Sequence, residues 1–82
     1  MQINIRRTAI KDLKKIDKKD KTKIHAKILE LEHFPNVANI IKLTNFEPAY
    51  RLRVGDYRIL FDVVEDIIEI GRILHRKDSY KG

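Results

Sequence analysis

The chain has 82 residues, which is enough for one domain spanning residues 1–82 and too few for two. It contains no cysteine, so a disulfide framework and a thiolate metal site are both excluded. The formal net charge of +6 favours a polyanionic partner: nucleic acid, an anionic surface or an acidic protein. No apolar run approaches the roughly 18 residues of a membrane helix, and no apolar segment follows the basic N-terminus as in a signal peptide. We therefore expect a soluble, cytoplasmic protein that does not contact a membrane.

The first part of the chain predicts one strand and two helices. Residues 2–7 alternate apolar and polar side chains, as a strand does. Thr8 is a candidate N-cap for a short helix over residues 9–18, and a turn at residues 17–20 leads into a second helix over residues 21–33. So short a connection predicts an antiparallel helical hairpin. The apolar stripes consist of Ala9, Leu13 and Ile16 in the first helix and of Ile24, Ile28, Leu29 and Leu31 in the second.

The second part of the chain predicts a meander of three antiparallel strands. Pro35 ends the second helix, and residues 35–48 are predicted to be mostly loop. Two alternating runs flank Gly55-Asp56, a two-residue loop typical of hairpins, and a second hairpin turns at Glu65-Asp66. The predicted fold class is therefore α+β in the order β-α-α-β-β-β, with the helices packed on one face of the sheet and the other face open. We expect no helix after the last strand.

Three arginines share one face of the predicted first hairpin. A two-residue loop pairs Arg53 directly with Arg58, and Arg51 lies two residues along on the same face. Like charges opposite each other destabilise a sheet, so this arrangement has a cost without a structural return. Guanidinium groups are planar, permanently charged and able to bind phosphate oxygens bidentately, which indicates a polyphosphate ligand. The lysines of the helical hairpin are instead interleaved with aspartates, and we interpret them as a solvated face that adds long-range steering.

The last residues contain a second cluster of reactive and basic side chains. His75 is the residue there whose ordinary pKa suits proton transfer near neutral pH. Tyr80 can stack on a base or move a proton, while Arg76 adds permanent charge. The alternative interpretation of this segment is a charged, frayed terminus.

Strict alternation fails within the last predicted strand. It places Ile70 on the core face but would bury Arg72 on the same face, which is costly without a partner. One extra residue reverses the alternation, so we predict a β-bulge at Gly71. The bulge turns Ile73 inward and moves Arg72 and Arg76 to the open face. The predicted substrate-binding residues of this region are Arg72, Lys77 and Lys81.

Two segments resemble the RelE branch of the RelE/ParE toxin superfamily. They are Tyr50-Arg-Leu-Arg-Val-Gly-Asp-Tyr-Arg-Ile-Leu-Phe-Asp-Val63 and Ile73-Leu-His-Arg-Lys-Asp-Ser-Tyr80, and the order of elements matches along nearly the whole chain. The resemblance implies a toxin of a type II toxin–antitoxin system that cleaves mRNA in the A site of the ribosome. It also implies neutralisation by a RelB-like antitoxin in a hetero-oligomer. The catalytic residues that it implies are Arg51, Arg53, Arg58, Arg76 and Tyr80.

Metal-free RNA cleavage uses the ribose 2′-hydroxyl as nucleophile and needs positive charge at the phosphate, a proton acceptor and a proton donor. We assign Arg58 and Arg76 to the phosphate, and Tyr80 to base stacking or to protonation of the leaving oxygen. Some family members carry lysines at the positions of Arg51 and Arg53. Arginine does not give up its proton, so these two residues bind the RNA backbone but are poor general bases. His75 is the remaining candidate for a proton-transfer role.

Two other functions remain open at this point. A toxin of the ParE kind shares the fold but inhibits DNA gyrase and cleaves nothing, so the fold alone does not decide. A plain RNA-binding domain is the third possibility, although the hairpin aromatics are predicted to face the core and leave no stacking platform. No cofactor is expected. The scattered histidines His25, His33 and His75 have no metal-site spacing, so no metal is expected either.

Overall fold

The structure is a computed structural model that describes residues 1–43 and 48–79. Its elements are β1 (Gln2–Ile5), α1 (Arg7–Lys14), α2 (Lys18–Glu30), a 3₁₀ turn (Leu31–His33), β2 (Ile40–Lys42), β3 (Tyr50–Val54), β4 (Tyr57–Val64), β5 (Ile67–His75) and α3 (Arg76–Ser79). The predicted α+β class is confirmed, as is a strand followed by two helices and a meander. Two elements were not predicted, β2 and α3.

The sheet has five strands in the order β1-β5-β4-β3-β2. β1 runs parallel to β5, and the other neighbours are antiparallel. The expectation that residues 35–48 are mostly loop was wrong for β2, which pairs Ile40 with Leu52 and Lys42 with Tyr50. A strand of three residues is too short for its side chains to show a periodic pattern, so only its pairing with β3 reveals it.

The register of the first hairpin is as predicted. Arg53 pairs with Arg58, and the apolar residues Leu52 and Ile59 pair on the opposite face. Gly55 has a φ of +57°, a left-handed conformation that glycine adopts without the steric cost of a Cβ atom. The two-residue loop therefore fits a primed turn that begins at this glycine.

The predicted bulge in β5 is also confirmed. Leu60 pairs with Arg72, whereas the next residue of β4, Phe61, pairs with Ile70. Gly71 is therefore the extra residue, and the alternation of faces reverses at this point. Ile73 turns inward, where it is 3% exposed.

The core lies between one face of the sheet and the helical hairpin. Its buried helical side consists of Ala9 in α1 and of Ile16, Ile24, Ile28 and Leu31, as predicted. Leu29 was expected to widen this face, but its side chain lies on the outer side of α2 and is 54% exposed. The core residues of the sheet are Leu52, Val54, Ile59, Phe61, Ile68, Ile70 and Ile73.

Both helices begin earlier than the sequence predicted. α1 starts at Arg7, and Thr8 is not its N-cap but lies inside the first turn. Asp17 caps α2, since its side chain accepts a hydrogen bond from the backbone N–H of Asp20 at 2.8 Å. The predicted turn at residues 17–20 is therefore the first turn of α2. No helix in the described part of the chain is long and apolar enough to cross a membrane.

Candidate functional site

The arginine face is the part of the sheet surface that carries Arg51, Arg53 and Arg58. The strand register places all three on the side opposite the buried residues Leu52 and Ile59. Arg53 is exposed and Arg51 is half-buried. Within residues 1–43 and 48–79, neither of these two side chains forms an ion pair. Their charges are therefore available to an anionic ligand.

Arg58 differs from the other two because it is held against the hairpin. It is only 8% exposed, and its Nη1 atom donates hydrogen bonds to the carbonyl oxygens of Gly55 at 2.9 Å and Tyr57 at 3.0 Å. These bonds fix the position of the guanidinium and satisfy part of its donor capacity. No buried side-chain nitrogen or oxygen of the described residues lacks a hydrogen-bond partner. Hydrogen bonds to backbone carbonyl groups thus offset part of the cost of burying this charge.

Arg76 lies at the same end of the sheet as the tip of this hairpin. Its backbone N–H donates to the carbonyl oxygen of Asp56 at 2.6 Å, and its Nε atom lies 3.8 Å from the Asp56 carboxylate. The side chain is 57% exposed. Leu74, two residues earlier, pairs with Arg58 across β4 and β5. The fold therefore brings Arg76, from the end of the chain, to the end of the sheet where Arg53 and Arg58 lie.

Arg72 forms an ion pair with Asp12, a residue that the sequence did not identify as part of the site. Its Nε atom lies 2.8 Å from Oδ2 of Asp12 and its Nη2 atom lies 3.1 Å from Oδ1, a bidentate ion pair. The hydrogen bonds from this guanidinium to Asp12 hold the pKa of Arg72 above its ordinary value. The two residues are 60 positions apart, so no local sequence pattern indicates the contact. The structure thus places this predicted substrate-binding residue in an intramolecular contact.

His75 lies on the other face of the sheet. It pairs with Tyr57, and the two rings meet edge to face with centroids 5.4 Å apart. Its Nδ1 atom accepts a hydrogen bond from the backbone N–H of Lys77 at 3.3 Å, at the start of α3. Burial raises the pKa of Tyr57, and the charges of Asp20, Asp17 and Asp56 add to the shift. The structure therefore does not bring His75 to the arginine face.

Three clefts of the described residues lie away from the arginine face. Their volumes are about 180, 280 and 290 Å³, and they lie beside Tyr57, beside His75 and beside Glu69 respectively. Arg51, Arg53 and Arg58 line none of these three clefts. A basic surface outside these clefts suits an extended polyanion better than a small molecule.

The same sheet face becomes acidic towards β1. The carboxylate of Glu69 accepts hydrogen bonds from Nδ2 of Asn4, at 2.9 and 3.2 Å, and from Nε of Arg6 at 3.0 Å. The hydrogen bond from Asn4 and then that from Arg6 hold the pKa of Glu69 below its ordinary value. Asp62 accepts a hydrogen bond from the backbone N–H of Ala49 at 2.6 Å. Basic character is thus concentrated at the hairpin end of the face.

The remaining predicted site residues lie at the C-terminal end. Lys77 is exposed on α3, which corrects the expectation that no helix follows the last strand. Tyr80 and Lys81 lie outside the described residues. Among residues 1–43 and 48–79, no group of three or more histidine, aspartate or glutamate side chains is arranged to hold a metal ion.

Comparisons with known proteins give one consistent family. Residues 3–80 match the family model described as the ParE toxin of the type II toxin–antitoxin system parDE. Toxin RelE3 of Methanocaldococcus jannaschii is 33% identical over 84 residues, covering 98% of this chain and 96% of that protein. The toxin chain matched in the RelB–RelE antitoxin–toxin complex from Methanococcus jannaschii has a TM-score of 0.77 at 33% identity, covering 93% of each chain. The archaeal RelE–RelB complex from Pyrococcus horikoshii gives a TM-score of 0.71 at 28% identity, covering 92% of this chain and 93% of that one.

Proposed function

Because this chain belongs to the RelE/ParE family of toxins of type II toxin–antitoxin systems, we propose that it is a ribosome-dependent endoribonuclease that cleaves mRNA. The observation that carries the proposal is the arginine face. Arg53 and Arg58 are paired directly across β3 and β4, where like charges cost stability, and Arg51 lies beside them. Such a surface suits the phosphates of an extended RNA strand.

The proposed reaction needs no group beyond the RNA, the protein and water. The ribose 2′-oxygen attacks the adjacent phosphorus, the bond from phosphorus to the 5′-oxygen breaks, and a 2′,3′-cyclic phosphate and a 5′-hydroxyl result. The 2′-hydroxyl proton leaves to solvent, and the departing 5′-oxygen takes up a proton. Positive charge beside the pentacoordinate phosphorus lowers the barrier most, since negative charge develops there.

We assign the charge-stabilising role to Arg58 and Arg76. Arg58 is already fixed by its bonds to Gly55 and Tyr57, so little reorganisation is needed when the phosphate charge develops. Arg76 is exposed at the same end of the sheet. Arg51 and Arg53 hold the RNA backbone on either side of the cleaved bond.

The proton-transfer role is assigned to Tyr80, which protonates the leaving oxygen or stacks on a base. His75 has a different place in the proposal because it lies on the opposite face of the sheet, against Tyr57. Its Nδ1 atom accepts from Lys77, so we assign it to the support of α3. Lys77 and Lys81 add charge for RNA binding at this end of the chain.

We further propose that an antitoxin binds this chain and forms a toxin–antitoxin hetero-oligomer. Both similar structures named above are described as complexes of RelE with RelB. The net charge of +6 and the arginine face suit a RelB-like partner whose binding segment is acidic or amphipathic. Co-expression of the antitoxin should restore growth. Toxicity that persists at saturating antitoxin would count against this partner.

A second candidate function is favoured by the family model itself, which is described as a ParE toxin. A toxin of that kind would inhibit DNA gyrase and leave RNA intact. The discriminating experiment induces the chain in cells, maps mRNA 5′ ends and measures gyrase supercoiling with purified protein. New ends within translated codons support the nuclease, whereas intact mRNA with inhibited supercoiling supports the second candidate. An Arg7→Ala variant is the matched control, because Arg7 is exposed on α1 away from the arginine face.

A further inference from the structure

β5 loses its strand neighbour on one side halfway along its length. β1 pairs with it only as far as Ile5 and Ile70, and the backbone N–H of Arg6 makes the last bond, to Ile70 at 2.9 Å. Within the described part of the chain, no strand pairs with residues 71–75 on that side. Backbone polar groups at such an edge need other partners, because an unpaired group that is shielded from water is costly.

Two side chains of α1 supply those partners. The hydroxyl of Thr8 donates to the carbonyl oxygen of Gly71 at 2.5 Å, and Oδ2 of Asp12 accepts from the backbone N–H of Ile73 at 2.9 Å. Thr8 and Asp12 are four residues apart and therefore lie on one face of the helix. α1 thus takes the place of the missing strand, with one contact at the bulge residue Gly71 and one at Ile73 beyond it.

Arg72 completes this arrangement, which we call the edge clamp (Thr8, Asp12 and Arg72). The carboxylate of Asp12 accepts three hydrogen bonds, one from the backbone of Ile73 and two from the guanidinium of Arg72. The Asp12 side chain is 13% exposed, so much of this network is shielded from water. A guanidinium whose Nε and Nη2 atoms are both engaged by a carboxylate cannot offer that same edge to a phosphate.

The clamped segment leads directly into the proposed site. Leu74 pairs with Arg58, and the backbone of Arg76 bonds to Asp56 at 2.6 Å. The position of the last residues of β5 therefore decides where Arg76 lies relative to Arg58. We propose that the edge clamp consists of positioning residues, which fix the end of β5 and thereby hold Arg76 against the turn of the hairpin that carries Arg58. The effect of the edge clamp on RNA cleavage rests on the proposed nuclease function. Its effect on the position of the end of β5 does not.

Amide hydrogen exchange on the full chain tests the clamp without any activity assay. Asp12→Ala removes all three bonds, and the amides of Ile73 and Arg76 should exchange about tenfold faster or more, because the end of the strand opens locally. Thr8→Val, which removes only the hydroxyl, should give a smaller increase at the same amides. Asp66→Asn is the matched control at an exposed hairpin tip and should change neither amide. Unchanged protection of Arg76 in both clamp variants would overturn the proposal.

Kinetics of RNA cleavage then separate positioning from substrate binding. Asp12→Ala and Arg72→Ala should each lower kcat by about 10- to 100-fold with KM unchanged, the scale expected when a reacting group is misplaced. The double variant should be no slower than Asp12→Ala alone, because Asp12→Ala already removes both bonds to Arg72. If Arg72 instead bound RNA, Arg72→Ala would raise KM while Asp12→Ala would not, and that result would overturn the positioning role. If the wild-type chain left RNA intact, only the nuclease proposal would fail, and hydrogen exchange would still decide the clamp.

Discussion

Arg53 and Arg58 face each other across the first hairpin, yet their environments are different. Arg53 is exposed to solvent, whereas Arg58 is 8% exposed and donates to two backbone carbonyl groups of the turn. The repulsion expected between opposed like charges is reduced, because one guanidinium is bound to carbonyl dipoles and the other stays in water. Arg58 therefore has a structural role that Arg53 lacks.

Substitution of Arg58 and of Arg53 should affect the stability of the protein differently. Arg58→Ala should lower the free energy of unfolding by about 1–2 kcal/mol, because two hydrogen bonds from a charged donor are lost. Arg53→Ala should change it by less than about 0.5 kcal/mol, as is usual for an exposed site. Urea unfolding followed by circular dichroism measures both values. Equal losses in the two variants would contradict the structural role of Arg58.

The proposed charge stabilisation by Arg76 predicts a large kinetic effect. Arg76→Ala should lower the turnover of mRNA on ribosomes on the order of 10²-fold or more, the scale observed when a charge-stabilising donor is removed. Folding and antitoxin binding should remain largely intact, since the Arg76 side chain is 57% exposed. Single-turnover cleavage is the measurement, with Arg7→Ala as the control. A normal rate for Arg76→Ala would refute its assignment.

Gly55 in the hairpin turn and Gly71 in β5 should respond differently to alanine. Gly55 has a φ of +57°, so Gly55→Ala should destabilise the protein by roughly 1–2 kcal/mol. A Cβ atom at Gly71 would meet only the carbonyl oxygen of Leu60 at 3.9 Å, an ordinary contact, and Gly71→Ala should cost less than about 0.5 kcal/mol. Thermal unfolding of both variants tests the difference. A larger loss at Gly71 would show that the bulge itself requires glycine.

The lowered pKa of Glu69 should make the protein less stable in acid. Its pKa in the folded state is lowered by the hydrogen bonds from Asn4 and Arg6, so the ionised carboxylate favours the folded state. This stabilisation by ionised Glu69 is fully present at a pH above the pKa that Glu69 has in the unfolded chain. It is lost as the pH falls through the lower pKa that Glu69 has in the folded protein. Asn4→Ala should raise the pKa of Glu69 towards its ordinary value, which an NMR titration measures. Glu69→Gln should flatten the loss of stability in acid, whereas Glu65→Gln at an exposed turn should not.

The hairpin and the bulge could be predicted from the sequence because they follow from local geometry. Side chains alternate with a period of two residues, so a two-residue loop at Gly55 is enough to pair Arg53 with Arg58. The same alternation would have buried Arg72, and that conflict located the bulge at Gly71. The buried face of α2 followed in the same way from its helical period.

The contacts that complete the site depend on tertiary structure. Asp12 meets Arg72 across 60 residues of sequence, and β1 lies beside β5 although most of the chain separates them. His75 shares a short segment with Arg76, yet its pairing with Tyr57 places it on the other face of the sheet. Such contacts arise when separate elements pack against each other, and periodic patterns within one element carry no information about them. The sequence by itself determined which residues form the arginine face, whereas the packing of α1 against β5 decided that Arg72 is paired with Asp12.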